Sequence, residues 1–416
     1  MIRSKNAARA AALAGAIALV LTACSSSDAG ESGDETAAAT PLIVGTLLPE
    51  TGSLAFLGPP EIAGVGLAVK EINEAGGVLG LDVELENADS SDADNAEIAT
   101  QSVTDLKSKD VQVIIGAASS AVTRNVVEDI TNAKIVQISP ANTATDLSGK
   151  SPFYFRTAPS DVLQGAALGK LVLGDGHANV GVLVFNDDYG TSLRDVLKTT
   201  LEAEGATITY GNEGEEFDPK ATSFADPVTA VVSTNPDAIV IIAFAQTKQI
   251  IPELVAKGYD MSKVYFVDGN LSDYSADFEP GTLEGAQGTL PGAFPDDAFQ
   301  EKLLSIDSSL KDFSYAAESY DATNLAALAA VKGGATDGTT IQASLAAVSG
   351  ADGGTECTGF KECADLLADG EDIDYTAISG AGPFNADNDP STALIGVYQY
   401  GADNKYTFIK AEAGSL

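Results

Sequence analysis

Two small-residue turns carry the hydroxyls best placed in this chain to grip a ligand. One is Gly116-Ala117-Ala118-Ser119-Ser120, and the other is Ser139-Pro140-Ala141-Asn142-Thr143. Each follows a short, very apolar run, Val111-Gln112-Val113-Ile114-Ile115 in one case and Ile135-Val136-Gln137-Ile138 in the other. Runs of this kind predict buried strands. In an open parallel sheet the C-terminal strand ends face the ligand crevice. Hydroxyls of Ser119, Ser120 and Thr143, with free amides at the next helix N-terminus, suit an anionic group such as a carboxylate. Taken alone, either turn fits an ordinary helix cap better than a ligand grip. Later loops at predicted strand ends carry Asp187, Tyr189, Phe244 and Asp268. These offer acids for an ammonium or hydroxyl and aromatic walls, the set a small polar-ended ligand would use. Tyr189 and Phe244 also fit packing roles, and Asp187-Asp188 fits a solvated turn.

Catalysis finds no comparable support. There is no Gly-x-Ser-x-Gly elbow and no Gly-x-x-x-x-Gly-Lys-Ser/Thr loop. The only histidine, His177, lies in Gly-Asp-Gly-His-Ala-Asn, so a His-x-x-x-His pair cannot form. Gly64-x-Gly66 runs into Leu-Ala-Val-Lys inside a helical pattern and fails the dinucleotide fingerprint in context. A binding protein is expected, not an enzyme, with no metal and no cofactor.

The elements that must position these residues alternate in βαβ order. Leu42–Leu48 reads as a strand and Pro59–Asn73 as a helix, with Ile62, Val65, Val69 and Ile72 on one face. Leu81, Val83 and Leu85 alternate as a strand would, and residues 95–107 and 123–132 read as helices around the two apolar runs. A second series follows Phe153-Tyr154-Phe155-Arg156. It has strands at 180–185, 206–210, 238–243 and 264–267 and helices at 161–173, 191–204, 224–233 and 246–257. Helices at 295–306, 314–331 and 340–348 and strands at 395–400 and 406–409 complete the chain. Two α/β lobes with a cleft between them follow from this order. The last helices are expected to return to the first lobe and the last strands to the second, so that several crossings make a hinge.

The chain has 416 residues, a formal charge of −37 and 60 acidic against 23 basic side chains. Such a surface repels phosphate backbones and anionic membranes, which argues against nucleic-acid binding. At the start, Arg3, Lys5 and Arg9 precede the apolar run Ala10–Leu21 and then Leu21-Thr22-Ala23-Cys24. That passage resembles the lipobox of a bacterial lipoprotein signal, which implies a removed segment 1–23 and a lipidated Cys24. Residues 24–40, rich in Ser, Gly, Ala, Asp and Glu, read as the lipidated cysteine and a flexible tether. Cys357 and Cys363 remain as an even pair around Thr-Gly-Phe-Lys-Glu and are expected to form a small disulfide loop.

Several passages match one family in order and spacing. They are Ala68-Val69-Lys70-Glu71-Ile72-Asn73-Glu74-Ala75-Gly76-Gly77-Val78-Leu79-Gly80, Ile138–Thr143, Phe155-Arg156-Thr157-Ala158-Pro159-Ser160-Asp161 and Asn186-Asp187-Asp188-Tyr189-Gly190. From Pro41 onward the chain resembles the type I periplasmic binding proteins of ABC importers, in the leucine/isoleucine/valine group. The resemblance implies two Rossmann-like lobes on a three-stranded hinge. Lobe 1 would be 41–160 plus about 291–385, and lobe 2 would be 161–290 plus about 386–416.

By the same resemblance, Ser120 would hold a ligand α-carboxylate, Ala141 would contribute backbone, and Thr143 would bond the ammonium or carboxylate. Asp161 would be a cleft acid near the hinge, Tyr189 a cleft tyrosine and Phe244 an aromatic of the side-chain pocket. Asp268 would neutralise an ammonium. Leu57 stands where a tyrosine is often found, and Ala317 where an aromatic is. Relatives of this group also bind amides, urea and aromatic acids, so the ligand stays open. The implied protein is an extracytoplasmic, lipid-anchored monomer that passes a small amino acid, amide or carboxylate to an ABC permease. A sensor subunit with the same fold is the alternative, and a surface hydrolase is disfavoured by the missing catalytic groups.

Overall fold

The computed structural model describes residues 40–416, so the expected signal segment, Cys24 and nearly all of the tether lie outside the described residues. The first series builds β1 (Ile43–Leu48), α1 (Gly58–Glu74), β2 (Glu84–Asp89), α2 (Ala96–Ser108), β3 (Val113–Gly116), α3 (Ser120–Asn132), β4 (Val136–Ser139) and β5 (Tyr154–Arg156). The strands form a parallel sheet in the order β2-β1-β3-β4-β5. Both β3 and β4 are wholly buried, as expected where helices cover both faces, and the polar Gln137 and Ser139 of β4 donate to the Gly116 and Ala117 carbonyls. In α1 the predicted stripe holds, with Val65, Val69 and Ile72 buried.

The second series builds α4 (Asp161–Gly174), β6 (Asn179–Val184), α5 (Asp188–Ala203), β7 (Thr207–Tyr210), α6 (Ala225–Ser233), β8 (Ala238–Ile242), α7 (Thr247–Ala256), β9 (Val264–Phe266) and β10 (Gln287–Pro291). The rest of the chain supplies α8 (Asp297–Ile306), α9 (Ala316–Gly333), α10 (Gly338–Val348), β11 (Thr355–Cys357), α11 (Gly359–Ala368), β12 (Ile373–Tyr375), β13 (Thr392–Tyr400) and β14 (Tyr406–Ser415). The second sheet runs β14-β13-β10-β9-β8-β6-β7, parallel except where β13 pairs with β10 and with β14. Helix α9 packs on α1 so closely that a Cβ at Gly64 would collide with the Ala316 carbonyl.

The chain passes between the two sheets three times, after β5, after β10 and between β12 and β13. The first and third crossings are stapled by a buried ion pair. Arg156 donates to Asp389 through Nε (2.7 Å) and Nη2 (2.5 Å), and also to the Ala144 carbonyl (2.9 Å) and Ser148 Oγ (2.8 Å). A bidentate pair with its remaining donors satisfied is the arrangement in which a buried charge is tolerated.

Two local expectations need correction. Leu81 and Val83 precede β2 instead of belonging to it. Asn73 clamps Val83 through both backbone groups (2.7 and 3.0 Å), and Leu81 only bridges Val78. Strand β10, Gln-Gly-Thr-Leu-Pro, was unforeseen because Gly288 and Pro291 lower strand propensity, yet it sits between β9 and β13. The expected Cys357–Cys363 disulfide forms, and its short loop ties the end of β11 to α11.

Candidate functional site

The two hydroxyl-bearing turns meet at the C-terminal ends of β3 and β4. Ser119 caps α3, its Oγ accepting from Val122 N at 3.4 Å, so the bland role is the one it fills. Ser120 opens α3, earlier than the expected start at Thr123, and its Oγ accepts from Ala144 N at 3.3 Å. Asn142 N donates to Ser139 Oγ (3.1 Å), which in turn donates to the Ala117 carbonyl (2.6 Å), locking one turn to the other. Thr143 differs from its neighbours: it is fully buried and its Oγ1 has no hydrogen-bond partner among the described residues. Its carbonyl accepts from Asp161 N at 2.7 Å, tying the turn to the start of α4.

Across the cleft, Asp268 follows β9 and is gripped from three sides. Its Oδ1 accepts from Tyr189 OH (2.5 Å) and Gln164 Nε2 (3.0 Å), and its Oδ2 accepts from Tyr315 OH (2.7 Å). Tyr189 is placed by the α5 cap, where Asp187 Oδ1 accepts from Tyr189 N at 2.9 Å. Its ring stacks on Phe244 at 5.5 Å between centroids. Burial pushes the Asp268 carboxyl above the usual carboxylate range, against the opposing pull of those tyrosine and glutamine hydrogen bonds.

Asp161 is fully buried beside this group, and neither carboxyl oxygen makes a well-formed hydrogen bond among the described residues. Burial and then the Asp268 charge raise its pKa to about 7, partly opposed by the nearby Thr143 and Ser192 hydroxyls and by Arg156. Two interacting buried acids, with the nearest guanidinium already paired to Asp389, favour an incoming positive group.

The apolar end is equally closed. Leu54, Leu57, Ala118 and Ala141 of lobe 1 share one buried cluster with Tyr189, Phe244 and Tyr315. Leu57 is the residue before α1 and is 2% exposed. The aromatic missing at Ala317 is supplied two residues earlier by Tyr315, held at φ 59° just before α9, while Ala317 packs in the lobe 1 core. Tyr315 and Gln164 were not foreseen. Gln164 lies in the first turn of α4, where a polar side chain reads as a surface residue, and only its pairing with Asp268 across 104 positions gives it meaning.

Contacts across the cleft hold the lobes together. Ser192 Oγ accepts from Thr145 N at 3.0 Å, Ala245 N donates to the Ser53 carbonyl at 3.2 Å, and Lys220 meets Asp94 at 3.2 Å. Arg124 of α3 pairs with Asp188 of α5. Chemically, the arrangement offers hydroxyls and helix amides on one wall and two carboxylates on the other. Among the described residues no group of three or more His, Cys, Asp or Glu could hold a metal ion. No helix among the described residues is long and apolar enough to cross a membrane.

Comparison with known proteins bears on the family and the fold. Residues 41–369 match the family described as periplasmic binding protein. The chemotactic signal transduction system substrate-binding protein BasB of Halobacterium salinarum is 27% identical over 371 residues, 86% of this chain and 87% of that one. The Leu/Ile/Val-binding protein BraC3 of Rhizobium johnstonii is 28% identical over 48% of this chain and 53% of its own. Among solved structures, the branched-chain amino acid transporter substrate-binding protein LivJ of Streptococcus pneumoniae, in complex with isoleucine, superposes with TM-score 0.74 at 21% identity. That match covers 91% of this chain and all (100%) of the other. A solute-binding protein of R. palustris in complex with 4-hydroxybenzoate superposes with TM-score 0.71 at 18% identity, covering 90% and 97%. At such identities the structural likeness establishes the fold, two α/β lobes of the type I kind.

Proposed function

The chain belongs to the periplasmic binding protein family. From that premise we propose that it is a substrate-binding protein of the leucine/isoleucine/valine type that closes on an α-amino acid. It breaks no bond; its work is capture. In this reading the ligand carboxylate meets the Ser120 and Thr143 hydroxyls and the backbone at Ala141, and the ammonium meets Asp268. Tyr189, Phe244, Tyr315 and Leu57 enclose the side chain.

The observation that carries this is the state of Asp268 and Asp161. A carboxylate held by two tyrosines and a glutamine, with a second unpaired acid beside it, suits an ammonium-bearing ligand. It opposes a plain aromatic acid, whose charge would add to two like charges in a buried site. A thermal-shift panel of L-amino acids, amides, benzoate and 4-hydroxybenzoate tests it directly. Stabilisation by an aromatic acid and by no amino acid would overturn the assignment.

We further propose that the protein works outside the cytoplasm, tethered through Cys24, as a monomer that hands its ligand to an ABC permease. Sensing is the second reading, favoured by the chemotactic role in the name of the Halobacterium salinarum relative. Deleting the gene separates the two: loss of labelled amino-acid uptake supports delivery, whereas loss of chemotaxis with uptake intact supports sensing.

A further inference from the structure

Behind Tyr315, on the side away from Asp268, the second crossing of the hinge encloses a small pocket. The cavity volume is about 30 Å³, room for one compact group. The walls are aromatic: Phe294, Phe313, Tyr315, Tyr398 and Tyr406 all line it. Tyr398 and Tyr406 meet edge to face at 5.4 Å, and Phe294 stands 6.1 Å from Tyr398. One carboxyl, Glu318, faces this box and is 3% exposed. It makes no ion pair among the described residues, and no lysine or arginine lines the pocket. A Cβ at Gly292 would collide with Glu318 Oε1, so the hinge backbone lies directly against the acid. Beside it, Glu61 is fully buried with both oxygens unpartnered.

A buried acid without a cation, inside a cage of aromatic rings, is the chemistry that recognises an alkylated ammonium. Ring faces attract the cation, and the carboxylate supplies the counter-charge. We propose that this hinge pocket is a second binding site, for a small organic cation of the methylammonium to tetramethylammonium class, held by Glu318 against the rings of Phe294, Tyr398 and Tyr406. The site is distinct from the cleft, because the ring of Tyr315 stands between them with its hydroxyl on Asp268. Its walls come from both lobes: Glu318 belongs to α9, and Tyr398 and Tyr406 belong to β13 and β14. An occupant therefore bridges the hinge. Burial, and then the Asp321 charge, hold the Glu318 carboxyl well above the usual range. Cation entry thus expels a proton, which gives a second readout.

The test is calorimetry on the full chain with methylammonium and tetramethylammonium chloride, against sodium chloride at equal ionic strength. Saturable binding of either organic cation is expected, with proton release measured in buffers of different ionisation enthalpy. Glu318→Gln should weaken binding at least tenfold and abolish the proton release. Phe294→Ala, on a ring that is 42% exposed, should weaken it severalfold and leave amino-acid affinity in the cleft unchanged. Heats no different from sodium chloride would overturn the proposal. So would unchanged binding in Phe294→Ala and Glu318→Gln, or mutual exclusion between the cation and a cleft amino acid, which would place the cation at Asp268 and Asp161.

Discussion

Replacing Asp268 with asparagine removes one charge and almost no volume. Oδ1 keeps its hydrogen bonds from Tyr189 and Gln164, while the new amide confronts the Tyr315 hydroxyl, which can turn to accept. Removing one partner of a buried, hydrogen-bonded charge pair typically costs about 2–5 kcal/mol. The second acid, Asp161, stays in place and retains part of the attraction, so the lower half of that range is expected, roughly 2–3 kcal/mol. That corresponds to a loss of about 30- to 150-fold in affinity. The des-amino acid of the same side chain has no ammonium, and the substitution should leave its affinity unchanged or improve it by relieving like-charge repulsion. Without ligand, Asp268→Asn should melt higher than the parent, because burial disfavours the native carboxylate. The assay is isothermal titration of the tightest L-amino acid from the panel and its des-amino analogue, with melting curves on the free protein. Equal losses for both ligands would refute the ammonium role, and an unchanged amino-acid affinity would remove Asp268 from the site.

Other substitutions separate the remaining roles. Thr143→Ala should weaken the amino acid by about 1–3 kcal/mol with little change in the melt of the free chain, since its Oγ1 makes no well-formed hydrogen bond among the described residues. Ser120→Ala should lower the free-chain melt as well, through the lost bond to Ala144 N; equal melts for both variants would contradict this. Asp161 has a folded-state pKa raised to about 7 from an ordinary 3.8, so the native chain binds the proton more tightly than the unfolded one. Its contribution to stability therefore falls as pH rises from about 4 to about 7. Asp161→Asn should melt higher than the parent at pH 8, with the gap narrowing toward pH 4, and a constant gap would refute the assignment. Asp389→Asn leaves Arg156 buried without its counter-charge and should cost about 3–5 kcal/mol in urea unfolding. A loss below 1 kcal/mol would mean that the first and third crossings are not stapled by this pair.

Strand and helix positions were most legible where burial is complete. Val113–Gly116 and Ala238–Ile242 are apolar throughout because helices cover both faces, and such runs have few alternatives. Beta structure held by long-range pairing was hidden. Gln287–Pro291 exists because β9 and β13 flank it, and Thr355–Cys357 exists because it pairs with Ile373–Tyr375. The candidate site divides the same way. Ser120, Thr143, Tyr189 and Asp268 stand in turns whose residue types announce them. Gln164, Tyr315 and Glu318 lie in or beside helices, and their relation to the cleft and hinge comes only from α4 and α9 being laid against sheets formed elsewhere in the chain.

The placement of α9 also bears on how the molecule is made. Helix α9 is buried along nearly its whole length and packs on α1, yet about 240 residues, including five of the seven strands of the second sheet, separate the two. During synthesis the first five strands emerge long before the helix that covers them, so an apolar sheet face stays exposed while the middle of the chain appears. The second sheet in turn gains β13 and β14 only from the last residues made. Lobe 1 is complete only after β12 has been made, and lobe 2 waits for β14. Folding should therefore be slow. A C-terminal truncation ahead of Thr392 removes β13 and β14 from the second sheet alone and should expose that lobe to aggregation and protease while α9 still covers the first.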